Sequence, residues 1–160
     1  MELRRCTKED LPEITRLFFY TVTTVNTADY TKQQIDAWAG RWQSLLSRED
    51  FLSTLYTIVA VKDNIIIGYG NVDDTGYIDH LYTHRDYQHI GVATAICDEL
   101  ERRAHDIGAK RITVHASVTA LPFFVHRGYH VVKEQQAELD GVILTNFLCE
   151  KAFSTVLPIL

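Results

Sequence analysis

The sequence is short of positive charge, of sulfur and of long apolar runs. Lysine and arginine together number 16 against 21 aspartates and glutamates, a net charge of −5. With no basic cluster there is no electrostatic footprint for nucleic acid, and none is expected as a partner. The cysteines are only three, Cys6, Cys97 and Cys149. Their odd number and the lack of a CxxC pair make them reduced core residues rather than a disulfide framework. Every greasy stretch is broken by a charge within a few residues, and no secretory leader is recognisable, so no membrane is expected and a soluble cytoplasmic protein is the default. The histidines fit no metal-ligand spacing. His126 and His130 stand four apart with Gly128 between them, and no metal is expected. The chain also lacks internal repeats and low-complexity segments.

What is present suits one compact core. At 160 residues and 46% hydrophobic content, the chain is expected to form a single domain over 1–160. Glu2 to Cys6 can form a first strand. Thr7-x-x-Asp10 then has the spacing of a capping box, ahead of a helix whose buried stripe is Leu11, Ile14, Phe18, Val22 and Val25. Thr31-x-x-Gln34 repeats the signal before Ile35, Trp38, Trp42 and Leu45, which the spacing places on one helix; both tryptophans could line a substrate pocket, with core packing as the better role. Ser47-x-x-Asp50 starts a shorter helix. Between the first two helices, Thr23 to Tyr30 is a polar and aromatic loop of the kind that carries recognition groups.

Thr57 to Lys62 and Ile65 to Asp73 read as strands joined at Asp63-Asn64, followed by a strand at Tyr77 to Thr83. Arg111 to Ala116 is β-branched and alternating, and a helical crossover makes it parallel to the Tyr77 strand. Ser117 or Thr119 can cap the next helix, which tolerates Pro122 in its first turn and stops at Gly128. Tyr129 to Gln136 and Val142 to Lys151 complete a hairpin around Asp140-Gly141. The sequence does not place the tail from Ala152 to Leu160.

The chain is organised around the stretch that follows the Tyr77 strand. There Tyr87-Gln88-His89-Ile90-Gly91-Val92-Ala93 leads into a helix in which Ala93, Cys97, Leu100, Ala104 and Ile107 form the apolar face, ended by Gly108. The first amides of a helix lack internal partners and face the positive end of its dipole, so this junction attracts an anion. Gly91 and Ala93 leave the main chain bare, Gln88 can offer a side-chain amide, and a diphosphate fits. Strand, loop and helix with a small residue at the turn is also ordinary α/β architecture.

Gln88-x-x-Gly91-x-Ala93, behind Leu81 to Tyr87, resembles the acetyl-CoA pyrophosphate loop of the GNAT superfamily of N-acetyltransferases. Ala120 to Tyr129 resembles that family's short helix and strand beside the pantetheine arm. The resemblance implies an α/β (α+β) GNAT fold: a central mixed, mostly antiparallel twisted sheet of six to seven strands, flanked by about four helices. In that fold one parallel strand pair splays at a bulge, here expected at Leu81 to Thr83 against Ala116 to Ser117. It also implies acetyl-CoA as co-substrate, a small-molecule amine as acceptor and direct transfer in a ternary complex. Family members often dimerise, which leaves a homodimer open. Cofactor contacts would come from Leu81, Tyr82, Thr83, Gln88, His89, Ile90, Gly91, Val92, Ala93, Ser117, Phe123, Phe124 and Arg127.

Acetyl transfer needs a deprotonated amine, a polarised carbonyl and a protonated thiolate. Alternation puts Tyr77, Asp79, Leu81 and Thr83 on one face of their strand and Ile78, His80 and Tyr82 on the other. Asp79 is the first candidate for the base and His80 the reserve, against a structural or substrate-orienting role for that pair. Family members often carry a tyrosine acid where Phe124 stands, so Ser117, Tyr82 or solvent would take its place. His89 and Ile90 replace a common glycine and a common basic residue, with Arg85, His89 or Arg127 as compensating cations. Asn26, Asp29, Tyr30 and Asp79 are the candidates for acceptor binding. Phe124 and the altered loop raise the alternative of a GNAT-fold module that binds CoA and has lost catalysis.

Overall fold

The computed structural model describes residues 1–153. In chain order the elements are β1 (Glu2–Arg5), α1 (Leu11–Thr24), α2 (Lys32–Ala39), α3 (Trp42–Leu45), α4 (Asp50–Ser53), β2 (Tyr56–Lys62), β3 (Ile65–Val72) and β4 (Tyr77–Thr83). Then come α5 (Val92–Asp106), β5 (Arg111–Ser117), α6 (Leu121–His126), β6 (His130–Leu139) and β7 (Val142–Ala152). Single 3-10 turns precede α1, follow it at Asn26–Ala28, and precede α5 at Arg85–Tyr87.

The strands form one seven-stranded sheet in the order β1-β2-β3-β4-β5-β7-β6. Every neighbouring pair is antiparallel except β4 with β5. Asp63-Asn64 and Asp140-Gly141 make the two expected tight turns, all four residues with positive φ. That conformation matches the twist of the strands they join. Of the tail, Ala152 ends β7 and the Phe153 ring packs on His105, centroids 5.6 Å apart; residues 154–160 lie outside the described residues.

The sheet carries a core on each face. On one side Ile96, Cys97, Leu100 and Ala104 of α5 press against Ile58, Ile67, Ile78 and Ile112. Gly68 lets that helix come close, since a Cβ there would lie 2.6 Å from the Val92 side chain. On the other side Ile14, Leu17, Phe18 and Val22 of α1 cover Val59, Ile66 and Tyr69, with Phe51 of α4.

Two expected stripes are corrected. In α5, Ile96 and Val92 are buried, Ala93 is half-buried and Ile107 is exposed. Ile107 falls beyond the last helical residue, where the chain turns toward Gly108. The helix expected from Ile35 to Leu45 is broken at Gly40-Arg41 into α2 and α3. Ile35 and Leu45 stay buried, whereas Trp42 is rotated out and exposed.

Candidate functional site

The parallel ladder of β4 and β5 is short. Tyr77 pairs with Thr113 and Ile78 with Val114, and beyond that the strands part. The divergence begins at a bulge: Asn71 of β3 faces His80 and Val72 faces Ile78, so Asp79 is an extra residue on β4. An extra residue advances the side-chain alternation by one. Ile78 therefore joins the α5 core, while His80 and Tyr82 turn toward α1 and α4. This corrects the expected common face of Ile78, His80 and Tyr82.

A cavity of about 330 Å³ occupies the opening. The end of β4, the N-terminus of α5, the end of β5 and the start of α6 form one part of its wall, and the C-terminus of α1 with Trp38 forms the other. Leu81, Tyr82, Thr83, Gln88, His89, Gly91, Val92, Ala93, Ser117, Phe123 and Phe124 all line it, as do Asp79 and Asn26. Most residues singled out between Asn26 and Phe124 thus converge on one space.

At the α5 end, Gly91 adopts φ 91° and His89 φ 59°. The first internal bond of the helix runs from the Ala95 amide to the Gly91 carbonyl at 3.0 Å. The amides of Gly91, Val92, Ala93 and Thr94 have no partner among the described residues. A Cβ on Gly91 would meet nothing within 4 Å, so the approach is open. This donor set, at the positive end of a 15-residue helix, fits the diphosphate of acetyl-CoA.

Gln88 plays another part than the one expected. Its amide nitrogen donates to the Thr83 carbonyl at 2.8 Å and lies 3.3 Å from that of His84. It ties the loop to the end of β4, beyond the point where that strand parts from β5. Thr21 of α1 donates to the same Thr83 carbonyl at 2.8 Å.

At the other end Asp79 is held by Arg48. The Arg48 Nη2 lies 2.9 Å from Asp79 Oδ2, and the same guanidinium makes two 2.8 Å bonds to Asp50. Asp79 Oδ1 has no partner among the described residues. His80, the reserve base, is absent from the lining. Its ring packs among Phe18, Phe51 and Tyr69, with Nδ1 3.0 Å from the Tyr69 hydroxyl. Burial lowers its pKa well below the ordinary value, opposed by the charge of Asp79.

Tyr82 accepts from Trp38 Nε1 at 3.2 Å, and burial raises its pKa, so it keeps its proton. Ser117 Oγ accepts from the Ala120 amide at 3.0 Å, which closes the turn before α6. The helix N-cap is Ala120, without a side-chain cap, so the expected capping by Ser117 or Thr119 is corrected, and the Ser117 O–H is left free to donate.

Five more expected residues are placed elsewhere. Ile90 points to solvent and is 58% exposed, because the turn from His89 into Gly91 swings it outward. Arg127 is tied to Asp98 at 2.6 Å and to Glu101, so it is committed to acids of α5 and lies off the cavity. Asp29 accepts from Thr119 at 2.7 Å, and the Tyr30 hydroxyl donates to the Thr145 carbonyl while accepting from the Val118 amide, both at 2.8 Å. These two brace the loop against β5, α6 and β7 instead of lining the cavity. Arg85 stacks on Tyr20, 4.6 Å from the ring centroid, on the far side of α1.

Sequence reasoning missed Thr21, Val25 as a wall residue, Thr94 and His115, and it ranked core packing above the pocket role that Trp38 takes. Thr21 had a signal, a hydroxyl set between Phe18 and Val25 on the helix stripe; Arg48 had none.

Among the described residues no helix is long and apolar enough to cross a membrane, and no cluster of His, Cys, Asp and Glu suits a metal. Residues 26–151 match the family described as Acetyltransferase (GNAT) domain. The chain is 30% identical over 151 residues to the uncharacterized N-acetyltransferase YafP of Escherichia coli K12, covering 92% of this chain and 93% of that protein. It is 30% identical to a GCN5-related N-acetyltransferase from Rhodopseudomonas palustris, with a TM-score of 0.91 over 95% of each chain. The fold is shared with PaiA N-acetyltransferase from Thermoplasma acidophilum, solved in complex with coenzyme A, at 18% identity and a TM-score of 0.72 over 95% of this chain and 98% of that one.

Proposed function

The chain belongs to the GNAT acetyltransferase family, and from that premise we propose that it moves an acetyl group from acetyl-CoA directly to the primary amine of a small molecule, as one cytoplasmic domain. The observation that carries this reading is the cavity between the parted ends of β4 and β5, with unpaired helix amides at one end and a carboxylate at the other.

Acetyl-CoA supplies a thioester already activated for transfer. The α5 amides from Gly91 to Thr94 would hold its diphosphate, and the freed edges of β4 and β5 would hold its arm. Asp79 is the base: its free oxygen takes the proton of the acceptor ammonium, while Arg48 fixes the other. His80 is set aside because it faces the opposite core. The amine's second proton, released as the tetrahedral adduct collapses, reaches the departing sulfur through the hydroxyl of Tyr82 or of Ser117, which gives its own proton and takes that one, or through solvent, since a thiol near pKa 8.5 leaves readily. Proximity supplies much of the rate.

A thermal-shift titration tests the reading, because a ligand that binds the native state raises its melting temperature. Acetyl-CoA and CoA should raise it clearly and ADP little, and thiol release should then follow on adding an amine. No shift at saturating acetyl-CoA overturns the reading. A shift without turnover by any amine would instead favour a binding module.

A further inference from the structure

The two ends of the cavity differ in chemistry, and the end away from α5 describes its guest. Resting on the acetyl-transfer reading above, we infer that the acceptor is a monoamine on an aromatic or apolar body. It carries one neutral hydrogen-bonding group away from the amine, and no carboxylate or phosphate.

Charge supplies the first argument. Asp79 is the one carboxylate in the lining among the described residues, and no lysine or arginine lines the cavity there. Arg48 is spent on Asp50 and on the far oxygen of Asp79. An amino acid bound by its amine would therefore place its carboxylate beside a like charge, with no lysine or arginine in the lining to meet it. A polyamine meets the converse problem, since its second ammonium would find no second carboxylate.

Shape supplies the next. Trp38 and Tyr82 stand with centroids 6.5 Å apart and planes at 62°, an open aromatic corner beside Val25. Such faces favour a flat apolar body and attract an ammonium held over them. The corner is rigid: Trp38 packs edge-on against Tyr30 at 5.3 Å, and Tyr82 against Phe18 at 5.0 Å.

Asn26 adds an independent observation. It is only 6% exposed as a residue and lies in the cavity wall, its side-chain amide makes no hydrogen bond among the described residues, and its polar atoms keep some accessible surface. An accessible amide without a protein partner in a cavity wall is free to meet a ligand's polar group. An amide offers both a donor and an acceptor, which suits a hydroxyl.

The test compares tyramine, phenethylamine, tyrosine and spermidine as acceptors by thiol release, with acetyl-CoA affinity measured in parallel by calorimetry. Tyramine should exceed tyrosine and spermidine in kcat/KM by about tenfold or more, as expected when a site leaves charges unpaired. It should exceed phenethylamine by roughly threefold to tenfold, the worth of one neutral hydrogen bond. Asn26→Ala should bring the tyramine to phenethylamine ratio toward one, and acetyl-CoA titration of that variant verifies its fold. Tyrosine or spermidine matching tyramine, or a ratio unmoved by Asn26→Ala, overturns the inference and leaves acetyl transfer standing. No turnover with any of the four overturns it as well, and loss of acetyl-CoA binding by the unaltered chain overturns the parent reading too.

Discussion

The Arg48 guanidinium lies 2.9 Å from the Asp79 carboxylate across 31 residues of sequence, and it reaches one oxygen only. The other oxygen has no partner among the described residues, and Asp79 is one of the residues that line the cavity. Arg48 is itself fixed by Asp50 and by the Phe51 ring, 4.7 Å from its centroid. A carboxylate clamped on one side and open on the other has a defined direction.

The first prediction concerns that carboxylate. Asp79→Asn keeps the shape and removes the proton acceptor, so kcat should fall by about tenfold or more while acetyl-CoA affinity stays nearly intact. Steady-state rates across pH are the measurement. A pH–rate profile identical to that of the unaltered chain would reject Asp79 as the base.

The loop before α5 should tolerate little bulk. Gly91→Glu meets no clash within the protein, but it places a carboxylate where the diphosphate is expected and forces a side chain onto φ 91°. Stability should drop by only about 1–2 kcal/mol, the cost of a left-handed residue, while CoA binding is lost. Circular dichroism and calorimetry separate the two effects. Full-strength binding would move the cofactor elsewhere.

Acid should loosen the fold through His80. Burial depresses its folded pKa below the ordinary 6.5, so the unfolded chain binds the proton first. The contribution of the neutral ring is complete above about pH 6.5 and declines as pH falls below it, toward the folded value. Urea unfolding from pH 7.5 to 5 should show this slope, and His80→Gln should flatten it. Equal slopes in both chains would count against a buried neutral ring.

A cluster behind the cavity should govern α6. Glu101 accepts from Tyr129 at 3.0 Å and Lys151 at 3.2 Å, and it pairs with Arg127 at the end of α6. Glu101→Gln leaves Arg127 largely buried with half its support, which should cost about 3 kcal/mol. Phe123 and Phe124 ride on that helix, so the KM for acetyl-CoA should rise as well. A melting temperature within a degree of the unaltered chain would show the cluster to be incidental.

Much of this architecture was legible in the residues. Alternation and turn pairs such as Asp63-Asn64 marked β2 to β4, since local sterics and burial on a pleated face leave those residues few alternatives. The 3.6-residue stripe marked α1 and α5, and Gln88-x-x-Gly91-x-Ala93 marked the junction on which the cavity is built. Trp42 misled because its spacing continues the α2 stripe, and nothing local announces the break at Gly40-Arg41. Gln88 and Arg127 misled because a polar side chain goes to its nearest unpaired group, and sequence does not say which group is nearest.

The sequence by itself determined the strands, the long helices α1 and α5, their order and the bare helix terminus, because these follow from periodicity, capping and backbone freedom over short spans. Only the tertiary structure decided which carboxylate faces the cavity. The single extra residue at Asp79 turns Ile78 and His80 to opposite cores, and Arg48 arrives from a distant turn to hold what the bulge exposes. Both depend on register and on packing between segments far apart in the chain, where one residue of slip exchanges the two faces of a strand.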